Sequence, residues 1–213
     1  MSKFDGRKAA EVHRHLHSHL PPDPALRVKA LESLVVERGL VARETIDAWV
    51  EAYSEHIGPK RGAQVVARAW SDADYKAHLL ADAAGAIRVF GFEGDATGDL
   101  KAVENSETEH HLVVCTLCSC YPWPVLGLPP SWYKSPEYRA RAVREPRAVL
   151  EEFGTQVGDD VEIRVWDSSA EIRYLVLPQR PDGTDDFAEE DLVPLVSRDS
   201  MIGVRLAGAG EPS

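Results

Sequence analysis

The chain has 213 residues, enough for one sizeable domain or a domain with an extended arm and too few for two full domains. Lys and Arg number 24 against 35 for Asp and Glu, and the net charge of −11 would repel a phosphate backbone, which argues against nucleic acid as a partner. No apolar run approaches the roughly 20 residues that a membrane helix needs, and the start Met1-Ser2-Lys3-Phe4-Asp5 lacks a secretory apolar core, so a cytoplasmic protein without membrane contact is expected.

Residues 1–22 are polar, carry His13, His15, His17 and His19 at alternate positions and close with Pro21-Pro22. Alternate spacing aligns histidines only in an extended strand, so this segment reads as a flexible tail that binds metal at most adventitiously. Asp23 suits a helix N-cap with Pro24 at the first helical position, and the helix should run to Gly39 with Leu31, Leu34 and Val35 on its buried face. Ile46, Trp49, Val50, Tyr53 and Ile57 recur at helical spacing until Gly58-Pro59 ends the run. Further helices are expected at 63–70 and, after a capping Ser71, at 72–84. Such helices could not bury Trp49, Tyr53 and Trp70 among themselves, so residues 23–90 are expected to form a helical arm that packs on a partner subunit.

From residue 100 the texture changes to short β-prone segments at 100–104, 111–114, 161–166 and 172–177. The last two read as a hairpin, because Val161, Ile163 and Val165 alternate with charges ahead of a turn at Asp167-Ser168-Ser169. Between them lie a stiff Pro-rich stretch at 122–130 and short helices near 136–141 and 146–152; another helix is expected near 188–196. His110 and His111 stand just before a strand and are expected at a surface or an interface. The predicted architecture is α+β: the helical arm is followed by a layered α/β/β/α-type domain over 91–213 that carries a metal claw loop.

That loop holds every cysteine in the chain, as Cys115-Thr116-Leu117-Cys118-Ser119-Cys120 directly after the apolar run Leu112-Val113-Val114. A structural zinc site draws four Cys or His ligands from two separated pairs, and no second pair is present. An odd count fits a disulfide framework poorly, and three inert core cysteines in six residues would be unusual. Sulfurs spaced by two residues and then one need a sharp loop to reach one ion, which brings main-chain amides against it. The spacing therefore favours a claw in which side chains and main chain both donate.

The segment Val113-Val114-Cys115-Thr116-Leu117-Cys118-Ser119-Cys120-Tyr121-Pro122-Trp123-Pro124-Val125-Leu126-Gly127-Leu128-Pro129-Pro130 resembles the alpha subunit of nitrile hydratase. So do Ser131-Trp132-Tyr133-Lys134-Ser135, Arg144-Glu145-Pro146-Arg147, Arg164-Val165-Trp166-Asp167, Leu177-Pro178-Gln179-Arg180-Pro181 and Arg198-Asp199-Ser200-Met201-Ile202-Gly203-Val204, so the likeness covers nearly everything after residue 22. The resemblance implies a low-spin trivalent metal, with sulfurs from Cys115, Cys118 and Cys120, deprotonated main-chain nitrogens of Ser119 and Cys120, and a water or hydroxide in the sixth position. It implies Cys118 as sulfinate and Cys120 as sulfenate, whose anionic oxygens are met by arginines of the beta subunit. Thr116 and Tyr121 are the residues typical of the cobalt branch, so one non-corrin Co(III) per alpha subunit is implied. A heterotetramer of two alpha and two beta subunits and a cobalt-insertion activator protein are implied as partners. Ala96 departs from the family, many members of which carry Gln in the loop matching Gly94-Asp95-Ala96-Thr97-Gly98.

The implied activity is that of a lyase hydrating organic nitriles to amides. Cys120 and Cys118 are the catalytic sulfurs, Ser119 is suited to hydrogen-bond the axial water, and Trp123 and Leu126 would wall an apolar substrate pocket. The gamma subunit of thiocyanate hydrolase shares the claw and cobalt, but its anionic substrate favours a basic lining where this chain has Trp123. A third reading is a non-catalytic metal-binding assembly subunit, with the claw purely structural.

Overall fold

The computed structural model describes residues 23–52, 58–92, 99–118 and 120–209. The chain divides into two compact units between Val50 and Glu51. Among the described residues no helix is long and apolar enough to cross a membrane.

The first unit contains helix α1 (Asp23–Glu37) and most of α2 (Arg43–Glu51). Gly39, at φ +64°, makes the turn between them, a conformation that costs a residue with a Cβ on the order of 1 kcal/mol or more. Arg43 Nη1 meets Glu32 Oε1 at 3.0 Å and ties the two helices together. The apolar face expected to be buried is open in the single chain, since Leu26, Leu31, Leu34, Trp49 and Val50 are all exposed. Tyr53 and Ile57, expected to continue this face, lie outside the described residues, as do the four alternate histidines.

The second unit begins its core with α3 (Lys60–Ser71), whose small residues Gly62, Ala63, Ala67 and Ala69 are all buried. They are small because neighbours crowd them: a Cβ on Gly62 would stand 2.5 Å from the Met201 sulfur and 3.0 Å from a Leu126 methyl. The long helix expected at 72–84 is two helices, α4 (Ala73–Ala81) and α5 (Ala83–Arg88). Asp82 breaks the run because its carboxylate accepts from Gly85 N at 2.9 Å and starts a new helix. The cap of α4 is Asp72, which accepts from the nitrogens of Asp74 and Tyr75, and not Ser71, whose hydroxyl donates back to Ala67 O.

Four strands follow: β1 (Asp99–Glu104), β2 (Glu109–Val114), β3 (Glu162–Asp167) and β4 (Ile172–Leu177). The hairpin expected of β3 and β4 does not form. β3 pairs in parallel with β2, and β4 pairs in parallel with β1. The turn residues between them step from one sheet to the other, with Ser168 N bonded to Val114 O at 2.7 Å and Ser169 N to Ile172 O at 2.7 Å. Helices α4 and α5 pack on β1, the two sheets meet through β2 and β4, and α7 (Pro136–Arg144) and α8 (Pro146–Glu152) cover β2 and β3. The result is the expected α+β, layered arrangement. Because β2 is covered on both faces, His110 through Val114 are all buried, and Leu112, Val113 and Val114 each contribute about 1.5–3 kcal/mol of apolar burial.

His110 and His111 are therefore not at a surface. They are inside β2, 3% and 4% exposed. His110 Nε2 lies 2.7 Å from Gly203 O, and its Nδ1 lies 3.3 Å from the Asn105 amide nitrogen; His111 Nδ1 accepts from the Trp166 indole at 3.0 Å. These bonds occupy both ring nitrogens of His110 and Nδ1 of His111, where a surface or an interface was expected.

Candidate metal centre

The claw begins where β2 ends. Cys115 continues the buried run of the strand and is 1% exposed, whereas Cys118 is exposed and Cys120 is intermediate. The three Sγ atoms all lie within 4.8 Å of one another, with Cys115 to Cys118 at 3.3 Å and Cys118 to Cys120 at 3.1 Å. Three soft sulfur donors this close together can meet one transition-metal ion, and no fourth His, Cys or carboxylate joins the group among the described residues.

Burial, and after it the adjoining Cys118 and Cys115, pushes the Cys120 thiol up to about 12. An ion bound at the Cys120 sulfur would release that proton. Ser119, the fourth residue assigned to the metal, lies outside the described residues, as does Ala96.

Three elements hold the loop in place. Asp167, the last residue of β3, accepts from Thr116 N at 2.9 Å and from the Thr116 hydroxyl at 2.5 Å. Tyr133, in a 3-10 turn at Ser131–Lys134, donates its hydroxyl to Cys120 O at 3.0 Å. Arg139 on α7 donates from Nη1 to Cys118 O at 3.0 Å. Below the loop, Tyr138 donates to Val113 O at 2.6 Å, and Trp132 sits edge-on to Tyr138 at 4.9 Å and to Phe153 at 4.7 Å between ring centres. These edge-to-face contacts make a rigid aromatic floor. Burial raises Tyr133 and Tyr138, so both phenols stay neutral donors.

Tyr121 is buried edge-on to Tyr133 at 5.2 Å, and its hydroxyl has no hydrogen-bond partner among the described residues. Trp123 opens the short helix α6 (Trp123–Leu126) and is 40% exposed. Leu126, at the other end of α6, is 1% exposed and belongs to the hydrophobic core. The two residues assigned to a substrate pocket thus differ: one is open to solvent and the other is packed away from it. Asp167 and Arg139 were not singled out from sequence. The only signal for Asp167 was its place in the Arg164-Val165-Trp166-Asp167 motif, which does not show that it folds back onto a loop 51 residues earlier.

The family model described as nitrile hydratase, alpha chain, matches residues 22–205. The chain belongs to the nitrile hydratase alpha-chain family. It is 58% identical over 180 residues to the low-molecular weight cobalt-containing nitrile hydratase subunit alpha of Rhodococcus rhodochrous, covering 84% of this chain and 87% of that protein. It is 42% identical over 193 residues to the thiocyanate hydrolase subunit gamma of Thiobacillus thioparus, covering 85% and 79%. Among solved structures, a double mutant of the Fe-type nitrile hydratase from Comamonas testosteroni Ni1 superposes with a TM-score of 0.81 at 39% identity, covering 91% of this chain and 96% of that one. An iron-type relative so similar in backbone means that the family fold does not itself choose the metal.

Proposed function

We propose that this chain is the alpha subunit of a cobalt nitrile hydratase that converts organic nitriles to the corresponding amides. Water adds across the carbon–nitrogen triple bond: its oxygen bonds the nitrile carbon and both its protons end on nitrogen. The observation that carries this reading is the gathering of the Cys115, Cys118 and Cys120 sulfurs within 4.8 Å of one another at the end of β2. The identity to cobalt-containing relatives, higher than to the thiocyanate enzyme, supports the substrate class and the metal.

In this reading Cys115, Cys118, Cys120 and the main-chain nitrogens of Ser119 and Cys120 hold one non-corrin Co(III), which supplies Lewis acidity when bound. Cys118 would be carried to sulfinate and Cys120 to sulfenate, with molecular oxygen as the oxidant, and the Cys120 oxygen would then be a nucleophile for the nitrile carbon. Arginines of a beta subunit pair with these oxygens. Ser119 orients water at the site, Trp123 offers an apolar wall to the nitrile substituent, and Leu126 supports that wall from the core. Thr116 and Tyr121 belong to the cobalt form. Of the arm assigned to 23–90, α1 and α2 lie on the beta subunit, a role supported by their open apolar residues, whereas α3, α4 and α5 pack into the core of the second unit. Two alpha and two beta subunits assemble in the cytoplasm, and an activator protein delivers the cobalt.

Co-production of the chain with its beta subunit under cobalt supply tests this directly. Amide from acrylonitrile, one cobalt per heterodimer and a sulfur-to-metal charge-transfer band are expected. Carbonyl sulfide from thiocyanate without amide formation would instead make it a thiocyanate enzyme, and bound metal without either product would make it an assembly subunit.

A further inference from the structure

The exposed middle of the claw is held by a cation from this chain itself. Arg139, 21 residues beyond Cys118, donates from Nη1 to the Cys118 carbonyl oxygen at 3.0 Å. Its Nε is buried with no hydrogen-bond partner, and among the described residues no carboxylate pairs with it. The contrast on the same helix is Arg141, which is matched by Glu145 and Glu152, each at 2.6 Å. Burying that one N–H unmet is unfavourable for folding alone, although the rest of the guanidinium stays partly open to water. Such a group gains a reason to be there once its neighbour carries negative charge.

The oxygen it holds belongs to the same planar peptide unit as the nitrogen of Ser119, one of the ligands assigned above. An anionic peptide nitrogen shares its charge with that oxygen through the resonance that keeps the unit planar. We infer that Arg139 is a positioning residue of the metal claw, fixing the Cys118 carbonyl and balancing the negative charge the loop takes on when it grips the ion. This inference rests on the claw binding cobalt as proposed above. The arginines that the family resemblance implies come from the beta subunit and meet the sulfur oxygens. Arg139 differs in both respects, since it comes from α7 and meets the loop backbone.

The test compares the full chain, co-produced with its beta subunit under cobalt supply, with Arg139→Lys, Arg139→Gln and Arg139→Ala. Gln keeps a donor and removes the charge, whereas Lys keeps the charge. Cobalt content, its rate of loss to a chelator and the charge-transfer band are measured alongside the thermal midpoint of the metal-free protein. Charge-assisted hydrogen bonds are about twice as strong as neutral ones, so Gln and Ala should lose cobalt at least about tenfold faster with a shifted band, and Lys should stay closer to the parent. The midpoint should barely move. Parent-like release and an unshifted band in Gln and Ala would overturn the role, and so would a fallen midpoint with both cobalt readouts unchanged, which marks an ordinary structural arginine. If Ala fails to assemble, Lys against Gln decides, and equal release rates for those two overturn it. A parent that binds no cobalt sinks the proposed function and this role with it, whereas a loaded parent with indifferent variants sinks this role alone.

Discussion

Thr116 and Asp167 are joined at two points, with the backbone nitrogen of Thr116 on one carboxylate oxygen at 2.9 Å and its hydroxyl on the other at 2.5 Å. The end of β3 thereby clips the first turn of the claw. Asp167→Ala should remove both bonds and let Cys118 drift from Cys115, lowering kcat/KM for a small nitrile by about tenfold, a size consistent with charged hydrogen bonds discounted for an exposed setting. Thr116→Ser keeps the hydroxyl and should stay within about twofold of the parent. Kinetics on cobalt-loaded protein check both, and an unaffected Asp167→Ala would show that the clip is dispensable.

The sulfurs themselves permit a stricter test. Cys118→Ser and Cys120→Ser each replace a soft, oxidisable donor with a hard alcohol, so activity should vanish and the charge-transfer band should collapse. Near-full hydration by either variant, measured at matched metal content, would remove the claw from the chemistry.

Trp123 is the assigned pocket residue that remains open to solvent. Trp123→Arg places a charge where an apolar substituent must shed water, so turnover of benzonitrile should fall far more than turnover of acrylonitrile. Equal losses on both with cobalt retained would take Trp123 out of the pocket. A rise in thiocyanate turnover would instead favour the anionic substrate.

Acid should weaken the strand that carries the claw. Burial lowers the pKa of both His110 and His111; Arg147 and His111 add to this for His110, and Arg164 adds to it for His111, while the Gly203 carbonyl, Glu109 and Glu162 act in the opposite direction. A histidine whose folded pKa lies below its unfolded value binds protons better when unfolded. Its full stability is therefore present above the unfolded pKa, roughly 6.5, and is lost as pH falls below it toward the lowered folded value. The melting midpoint should be flat above pH 7 and drop between about pH 6.5 and 5. His110→Gln, which can still donate to Gly203, should reduce that drop. An identical acid dependence in the variant would clear His110 of the effect.

Much of the site was legible because it is local. Three cysteines in six residues after an apolar run announce a loop at a strand end whatever the rest of the chain does, and the structure closes that loop within 4.8 Å. The strands were legible too, but their partners were not. Alternation at Val161, Ile163 and Val165 identifies a strand, and Ser168-Ser169 looks like a hairpin turn; nothing in either says that β3 will pair with β2 across a crossover. The same non-local pairing hides Asp167, which matters only because of where β3 ends. His110 and His111 were misjudged because their ring nitrogens find Gly203 and Trp166, both far along the sequence. Asp82 was missed for a local reason, since an Asp inside an alanine-rich helical run reads as surface until its side chain caps the next helix.

The register of β2 against β3 sets Val114 opposite Asp167, so the two strands deliver the claw and its clip at the same edge. During synthesis all three sulfurs leave the ribosome well before Asp167 does, and parallel pairing of β2 with β3 needs the connecting chain that carries α7 and α8. An ion met in that interval finds three thiols on a loose thread and binds in whatever geometry the thread permits. An ion met afterwards finds a fixed claw. The clip on the claw is thus a property of the finished fold and not of the cysteine motif alone.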